Sequence, residues 1–149
     1  MNKRMAVVVV LCLSLAAPMW AAAAQADQQQ SLYKRLGGFD ALAAVTDDFI
    51  GRMASDPQLK HFFTGFNENS LHRIREHVVD FLCQATGGPC VYHGLDMKTA
   101  HTGLKITDSD WDVAVKHLNA TFDKFKVPQK ERTDVLNAIG PLKADIVGH

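Results

Sequence analysis

A chain of 149 residues, 47% of them apolar, has the material for one packed domain. Its 16 Lys and Arg balance 16 Asp and Glu, so it lacks the basic excess that a nucleic-acid partner calls for, and no such partner is expected. The first 26 residues stand apart. Lys3 and Arg4 precede an uncharged apolar stretch from Met5 to Ala17, and Ala24-Gln25-Ala26 offers small residues where a signal peptidase reads them. Residues 1–26 are read as a secretory signal and 27–149 as the mature domain, with a periplasmic or secreted address. The apolar stretch falls short of the ~20 residues of a spanning helix, so no stable membrane insertion is expected after cleavage. Cys12 lies inside that stretch, and Leu11 before it is too large for a lipoprotein signal. Cleavage leaves 14 basic and 16 acidic residues.

In chain order, a short helix is expected over Leu32 to Leu36, stopped by Gly37-Gly38. A second runs from Asp40 to Ala54 with Leu42, Val45, Phe49 and Met53 on its buried face. Asp56-Pro57 breaks it. His61-Phe62-Phe63 and a polar loop follow. A third helix, Ser70 to Thr86, carries Leu71, Ile74, Val78, Phe81, Leu82 and Ala85 on its apolar face, and His77 shares that face. Gly87-Gly88-Pro89 stops it. After a loop over 90–96, a short helix puts Met97, His101 and Leu104 on one side. Thr107-Asp108-Ser109-Asp110 resembles a helix cap, and Trp111, Val115, Leu118, Phe122 and Phe125 follow it at helical spacing. Pro128 suits the first turn of a last helix, kinked at Gly140-Pro141. The fold class is all-α.

No nucleophile motif, phosphate loop or carboxylate pair appears, and the Gly-Gly pairs lack the spacing of a nucleotide loop. The seven histidines are the candidates for chemistry. Of these, His77 and His101 lie on otherwise apolar faces. A neutral imidazole in an apolar slot is a good iron ligand, although a lone His on such a face is more often a hydrogen-bonded core residue. The spacing leaves both readings open. A Zn or Cu site would need tighter His and Cys spacing. Cys83 and Cys90 are an even pair in an oxidising compartment. A disulfide there would tether the third helix to the loop after it, if the helical position of Cys83 permits the geometry. There is no Cys-x-x-Cys-His for c-type haem attachment.

From Ser31 to Val147 the chain resembles the group 1 truncated haemoglobins. Ser31-Leu32-Tyr33 with Leu36-Gly37-Gly38 is similar to the family's opening. Val45-Thr46-Asp47-Asp48-Phe49, Asp56-Pro57 and Phe62-Phe63 resemble its next helix and turn. His77 with Phe81-Leu82, then Gly87-Gly88-Pro89 and Tyr92-His93-Gly94, resembles the distal helix and its exit, and Met97 with Ala100-His101 resembles the proximal segment. The resemblance implies a two-over-two helical sandwich around haem b. It makes His101 the proximal ligand and packs Phe63 on the haem face, with Ile74, Val78, Tyr92, Met97, Ile106, Trp111 and Val115 lining the slot. It also implies diatomic gases (oxygen, nitric oxide, carbon monoxide) as ligands and an electron donor of unknown identity.

The chain departs from the family on the distal side. Where relatives place an oxygen-holding tyrosine and glutamine, it has Ile50, after Phe49, and Val78. Another often-polar position is Ile74. His77 matches a position where some relatives carry a second axial histidine, which makes six-coordinate iron the favoured expectation, with His72 as the substitute if the register slips a turn; the other reading points His77 outward, to a haem propionate or water. Two roles follow: gas binding with nitric oxide dioxygenase or peroxidase-like detoxification, or electron transfer. The alternative is a non-haem periplasmic binding or interaction module on a globin scaffold.

Overall fold

The computed structural model describes residues 30–149, so the expected signal over 1–26 lies outside the described residues. In chain order the elements are α1 (Leu32–Arg35), α2 (Gly38–Ser55), a 3₁₀ turn (Lys60–Phe63), α3 (Glu68–Ala85), α4 (Met97–His101), α5 (Asp108–Lys124), α6 (Gln129–Ile139), a second 3₁₀ turn (Gly140–Leu142) and α7 (Lys143–Ile146). Among the described residues there is no strand.

Local chemistry sets the boundaries. Ser31 Oγ accepts the Lys34 N–H and opens α1. The chain enters α2 through Gly37, whose φ of +97° is a left-handed conformation that a side chain would strain. α2 therefore starts at Gly38 rather than at the expected Asp40. Asp56 ends α2, its carboxylate accepting from the N–H groups of Gln58 at 2.8 Å and Leu59 at 3.2 Å. α3 begins at Glu68, ahead of the expected Ser70, because Asn67 Oδ1 accepts the Ser70 N–H at 2.9 Å. Thr107 and Asp110 form a reciprocal capping box at the start of α5, as the sequence suggested. α6 tightens into 3₁₀ at Gly140-Pro141, where the proline removes a backbone donor. α4 is shorter than expected. It stops at His101 and leaves Leu104 outside it, 40% exposed.

α2 packs on α3 and on α5, α1 on α2 and α6, and α4 on α7. Leu118 and Phe122 of α5 meet Val135 of α6 in the core, with Leu32, Leu36, Val45, Phe49, Val127, Leu136 and Ile139 around them. α2 and α3 thus form one helical pair and α5 and α6 the other, the two-over-two sandwich. α3 is seated by Val79 and Cys83, which are 1% and 0% exposed. Ionic ties reinforce the layers. Arg35 holds Glu131 and Asp134, each at 2.6 Å, joining α1 to α6. Asp48 accepts from Arg52 at 2.6 Å, Thr121 at 2.8 Å and Lys124 at 2.5 Å, joining α2 to α5. Burial works against the Asp48 charge, but those three donors outweigh it and hold its carboxyl far below the usual carboxylate range. No helix of the described residues is long and apolar enough to cross a membrane.

Candidate haem-binding site

α4 is a single short helix that ends at His101. Asp96 caps it by accepting from the Thr99 backbone N–H at 2.9 Å and the Thr99 hydroxyl at 2.6 Å. Beyond α4, the chain is pinned to its own C-terminus: Lys105 N–H donates to His149 O and Gly148 N–H to Ile106 O, both at 2.9 Å. Within α4, His101 Nδ1 lies 2.7 Å from the Met97 carbonyl oxygen. A carbonyl only accepts, so Nδ1 carries the proton. In the neutral ring Nε2 then keeps its lone pair. That is the tautomer and the back-side hydrogen bond of a metal-ligating histidine.

Most of the other histidines are committed elsewhere. His61 Nδ1 bonds Gln58 O at 2.7 Å, His117 Nε2 bonds Asp56 at 2.8 Å, and His149 Nε2 lies 3.2 Å from Ala144 O. His72 sits beside Glu76 with a side chain 66% exposed, which takes it off the buried face of α3. His93 is exposed in the loop. His77 is half-buried on α3, and its ring meets the Tyr92 ring edge-on, 6.1 Å between centroids at 83°. Tyr92 also packs edge-on against Phe81 at 5.4 Å. Its hydroxyl donates to Leu95 O at 2.7 Å. Burial, with the charge of Asp96 beside it, raises the phenol above its ordinary value, which keeps it a neutral donor.

The expected slot residues Phe63, Ile74, His77, Val78, Tyr92, Met97, His101, Ile106, Trp111 and Val115 are all half-buried, neither in the sealed core nor on the open surface. Val78 also lines an apolar cavity of about 270 Å³ with Val45, Phe49, Leu82, Leu118 and Phe122. Ile50 lines a groove between α2 and α3 with Leu71 and His72. Among the described residues no cluster of three His, Cys, Asp or Glu could hold a metal ion by itself. A single histidine with one free ring nitrogen is a donor set that suits a macrocycle bringing its own four equatorial nitrogens.

The open question of the two cysteines is resolved in favour of a bond: Cys83 and Cys90 are joined, S–S 2.02 Å and Cα–Cα 5.7 Å. Sequence reasoning missed Gln84, whose Oε1 accepts the Tyr92 N–H at 2.7 Å. It also missed the Gln58–Asp110 bond at 2.6 Å that latches the segment after α2 to the start of α5. Neither partnership leaves a local pattern, because each depends on how the loops fold back.

The family pattern described as bacterial-like globin matches residues 31–147. A group 1 truncated hemoglobin GlbN of Mycolicibacterium paratuberculosis is 38% identical over 116 residues, which are 78% of this chain and 83% of the relative. A second relative, from Synechocystis, is 31% identical over 74% of this chain and 90% of its own length. The crystal structure of the truncated hemoglobin from Tetrahymena pyriformis in its Fe(III) form superposes with a TM-score of 0.73 at 29% identity, covering 80% of this chain and all (100%) of that one. The 2/2 hemoglobin from Synechococcus in its cyanomet state, with covalently attached heme, gives 0.73 at 25% identity and the same coverage. With the histidine tautomer, the two-over-two packing and these likenesses in agreement, the chain belongs to the bacterial-like globin family, as a group 1 truncated haemoglobin, the family whose cofactor is haem b.

Proposed function

We propose that the protein holds haem b through His101 Nε2 and takes diatomic gases on the face of α3, with His77 as a second axial ligand in the resting state. The observation that carries this reading is the Nδ1–Met97 O hydrogen bond of 2.7 Å, which leaves the other ring nitrogen free. Haem supplies a redox-active iron that binds small gases. The protein supplies orientation and exclusion of water. Phe63, Met97, Ile106, Trp111 and Val115 are the apolar walls, and Tyr92 fixes the loop between the two histidine-bearing helices.

The distal residues bear on the reaction. Ile50, Ile74 and Val78 carry no hydroxyl or amide, so a polar gas ligand finds no hydrogen-bond donor there, and long retention of oxygen is disfavoured. His77 shares α3 with Ile74 and Val78 and offers an imidazole there. This favours a role in which the iron cycles between oxidation states, in nitric oxide or peroxide detoxification or in electron transfer, served by an unidentified electron donor. The disulfide supports an oxidising compartment, and with the charge and apolar pattern of residues 1–26 it supports export to the periplasm or beyond.

Absorption spectra of the haem-loaded protein test this. Wild type is expected to give low-spin ferrous bands that carbon monoxide replaces slowly, and His77→Leu to give a five-coordinate, high-spin ferrous spectrum with fast carbon monoxide binding. An unchanged spectrum in His77→Leu removes His77 from the iron. Failure to take up one haem per chain would remove the haem reading and favour a binding module on the same scaffold.

A further inference from the structure

The segment between the two histidine helices, residues 86–96, is folded back along α3 rather than looped into solvent. Its return is tightly built. Gly87 is left-handed at φ +80°, and Gly88 N–H donates to Cys83 O at 2.7 Å. A Cβ on Gly88 would lie 2.6 Å from both Cys83 Sγ and the Tyr33 ring, so glycine is needed there. The Cys83–Cys90 bond then fixes the returning loop to the buried end of α3. Two residues on, Gln84 Oε1 takes the Tyr92 N–H, and the Tyr92 ring lies against Phe81 and His77. Gly94 completes the seat, since a Cβ there would fall 2.3 Å from the Tyr92 hydroxyl oxygen.

His77, Phe81 and Gln84 are spaced by four and three residues, which places them on one stripe of α3. The strap therefore covers that stripe, and Tyr92 is the residue that touches His77. Beyond the backbone bond from Gly88 at the turn, the non-covalent parts of this hold are individually weak: one hydrogen bond to an exposed glutamine and two edge-on ring contacts. The strap's one covalent tie to α3 is the disulfide, which restrains the loop independently of those contacts.

We propose that Tyr92 is a positioning residue for His77 and that the Cys83–Cys90 bond makes its hold sensitive to thiols. With the bond closed, the strap fixes the direction of the His77 ring. An external dithiol opens the bond by exchange. One of its thiolates attacks Cys90 Sγ, the half-buried sulfur, and the S–S bond breaks toward Cys83. The second dithiol sulfur then releases Cys90. The dithiol ends as a disulfide and the protein gains two thiols, two electrons and two protons. The strap then holds His77 through Tyr92 alone and lets the ring move. The link to iron rests on the reading of His77 given above; the hold of Tyr92 on His77 does not.

The test uses the haem-loaded full chain in its ferrous carbon monoxide form, with and without dithiothreitol, with alkylation and mass spectrometry to establish complete reduction. Two readouts are taken: the proton NMR cross-peak between the His77 and Tyr92 rings, and the rate of carbon monoxide binding to the ferrous protein. Reduction is expected to weaken the cross-peak and to change the rate by about fivefold, the low end of coupling between linked sites. Tyr92→Leu, with the bond closed, should change the rate in the same direction. Tyr92→Phe should stay near wild type because it keeps the ring. Cys83→Ser with Cys90→Ser should match the reduced protein and ignore dithiothreitol; if that variant fails to fold, the titration of wild type still decides. Fully reduced protein with an undiminished cross-peak and an unchanged rate overturns the proposal. A lost cross-peak with an unchanged rate upholds the strap and instead overturns His77 as an iron ligand.

Discussion

At the scale of single residues, the hydrogen bonds an imidazole already makes decide which of its nitrogens is left for a ligand. His101 spends one nitrogen on Met97 O and keeps the other, and the spent nitrogen fixes the ring against rotation. Because the anchoring acceptor is a backbone carbonyl, no side-chain substitution at Met97 abolishes it. The free nitrogen, by contrast, is removed by a single change. His101→Gly is expected to yield a folded protein that purifies without a Soret band, with far-UV circular dichroism like wild type. Free imidazole added with haem should restore the band, since it replaces the lost ligand in the space the ring vacates. Retention of stoichiometric haem by His101→Gly without imidazole would mean that another residue holds the iron. Sequence alone placed His77 and His101 on apolar faces, but spacing could not separate a ligand from a satisfied core histidine. The tautomer of His101 is set by a hydrogen bond between residues four apart, and periodicity carries no information about it.

At the scale of helices, the contacts that hold the sandwich are charged as well as apolar. Asp48 gathers Arg52, Thr121 and Lys124 between α2 and α5. Removing it leaves a half-buried guanidinium and the fully buried Thr121 hydroxyl without their acceptor. Asp48→Ala is expected to cost about 2 kcal/mol, in the range for losing a charged, partly buried acceptor, read as a lower urea midpoint at pH 7. Lys124→Ala should cost much less, because its side chain is 57% exposed and surface pairs contribute little. An equal loss in both variants would show that the layer contact is ordinary surface pairing. These ties were invisible in the sequence. Thr121 is 73 residues from Asp48 and Glu131 is 96 from Arg35, and nothing local marks either pair. The helices themselves were largely legible, because their ends are punctuated chemically. Thr107 and Asp110 announced a capping box, Asp56-Pro57 a break, Gly87-Gly88-Pro89 a stop. The misplaced starts of α2 and α3 have the same origin in reverse: Gly38 was read as a breaker, and the Asn67 cap was read as loop. Leu104 was placed on α4 by its spacing, yet the chain leaves the helix at His101 and turns through Gly103 at φ +87°.

At the scale of the whole molecule, the same carboxylates set how the fold responds to acid. Hydrogen bonds depress Asp56, Asp96 and Asp110 below the ordinary carboxylate value, led respectively by His117, by Thr99 and by Gln58. For Asp48, burial works in the opposite direction and its three donors prevail, so it too is depressed. A carboxyl whose folded value lies below its unfolded value binds fewer protons when folded. Its contribution is complete above the unfolded value, near 4, and is lost as pH falls through the folded values. Unfolding free energy should therefore be flat in these groups between pH 5 and 7 and decline as pH drops below about 4. The His117–Asp56 bond, 2.8 Å long, ties to α5 the segment that joins α2 to the 3₁₀ turn bearing Phe63, and Gln58 latches the same segment to the start of α5 through Asp110. Acid is thus expected to loosen the Phe63 side of the proposed haem slot along with the α2–α5 contact. Urea denaturation followed at pH 3, 5 and 7, with haem absorbance and far-UV circular dichroism recorded together, checks this. Asp56→Asn should flatten part of the acid decline by removing one of the depressed groups. A decline of unchanged steepness in that variant would assign the acid sensitivity to Asp48, Asp96 and Asp110, and a stability that rises toward pH 3 would contradict the depressed values altogether.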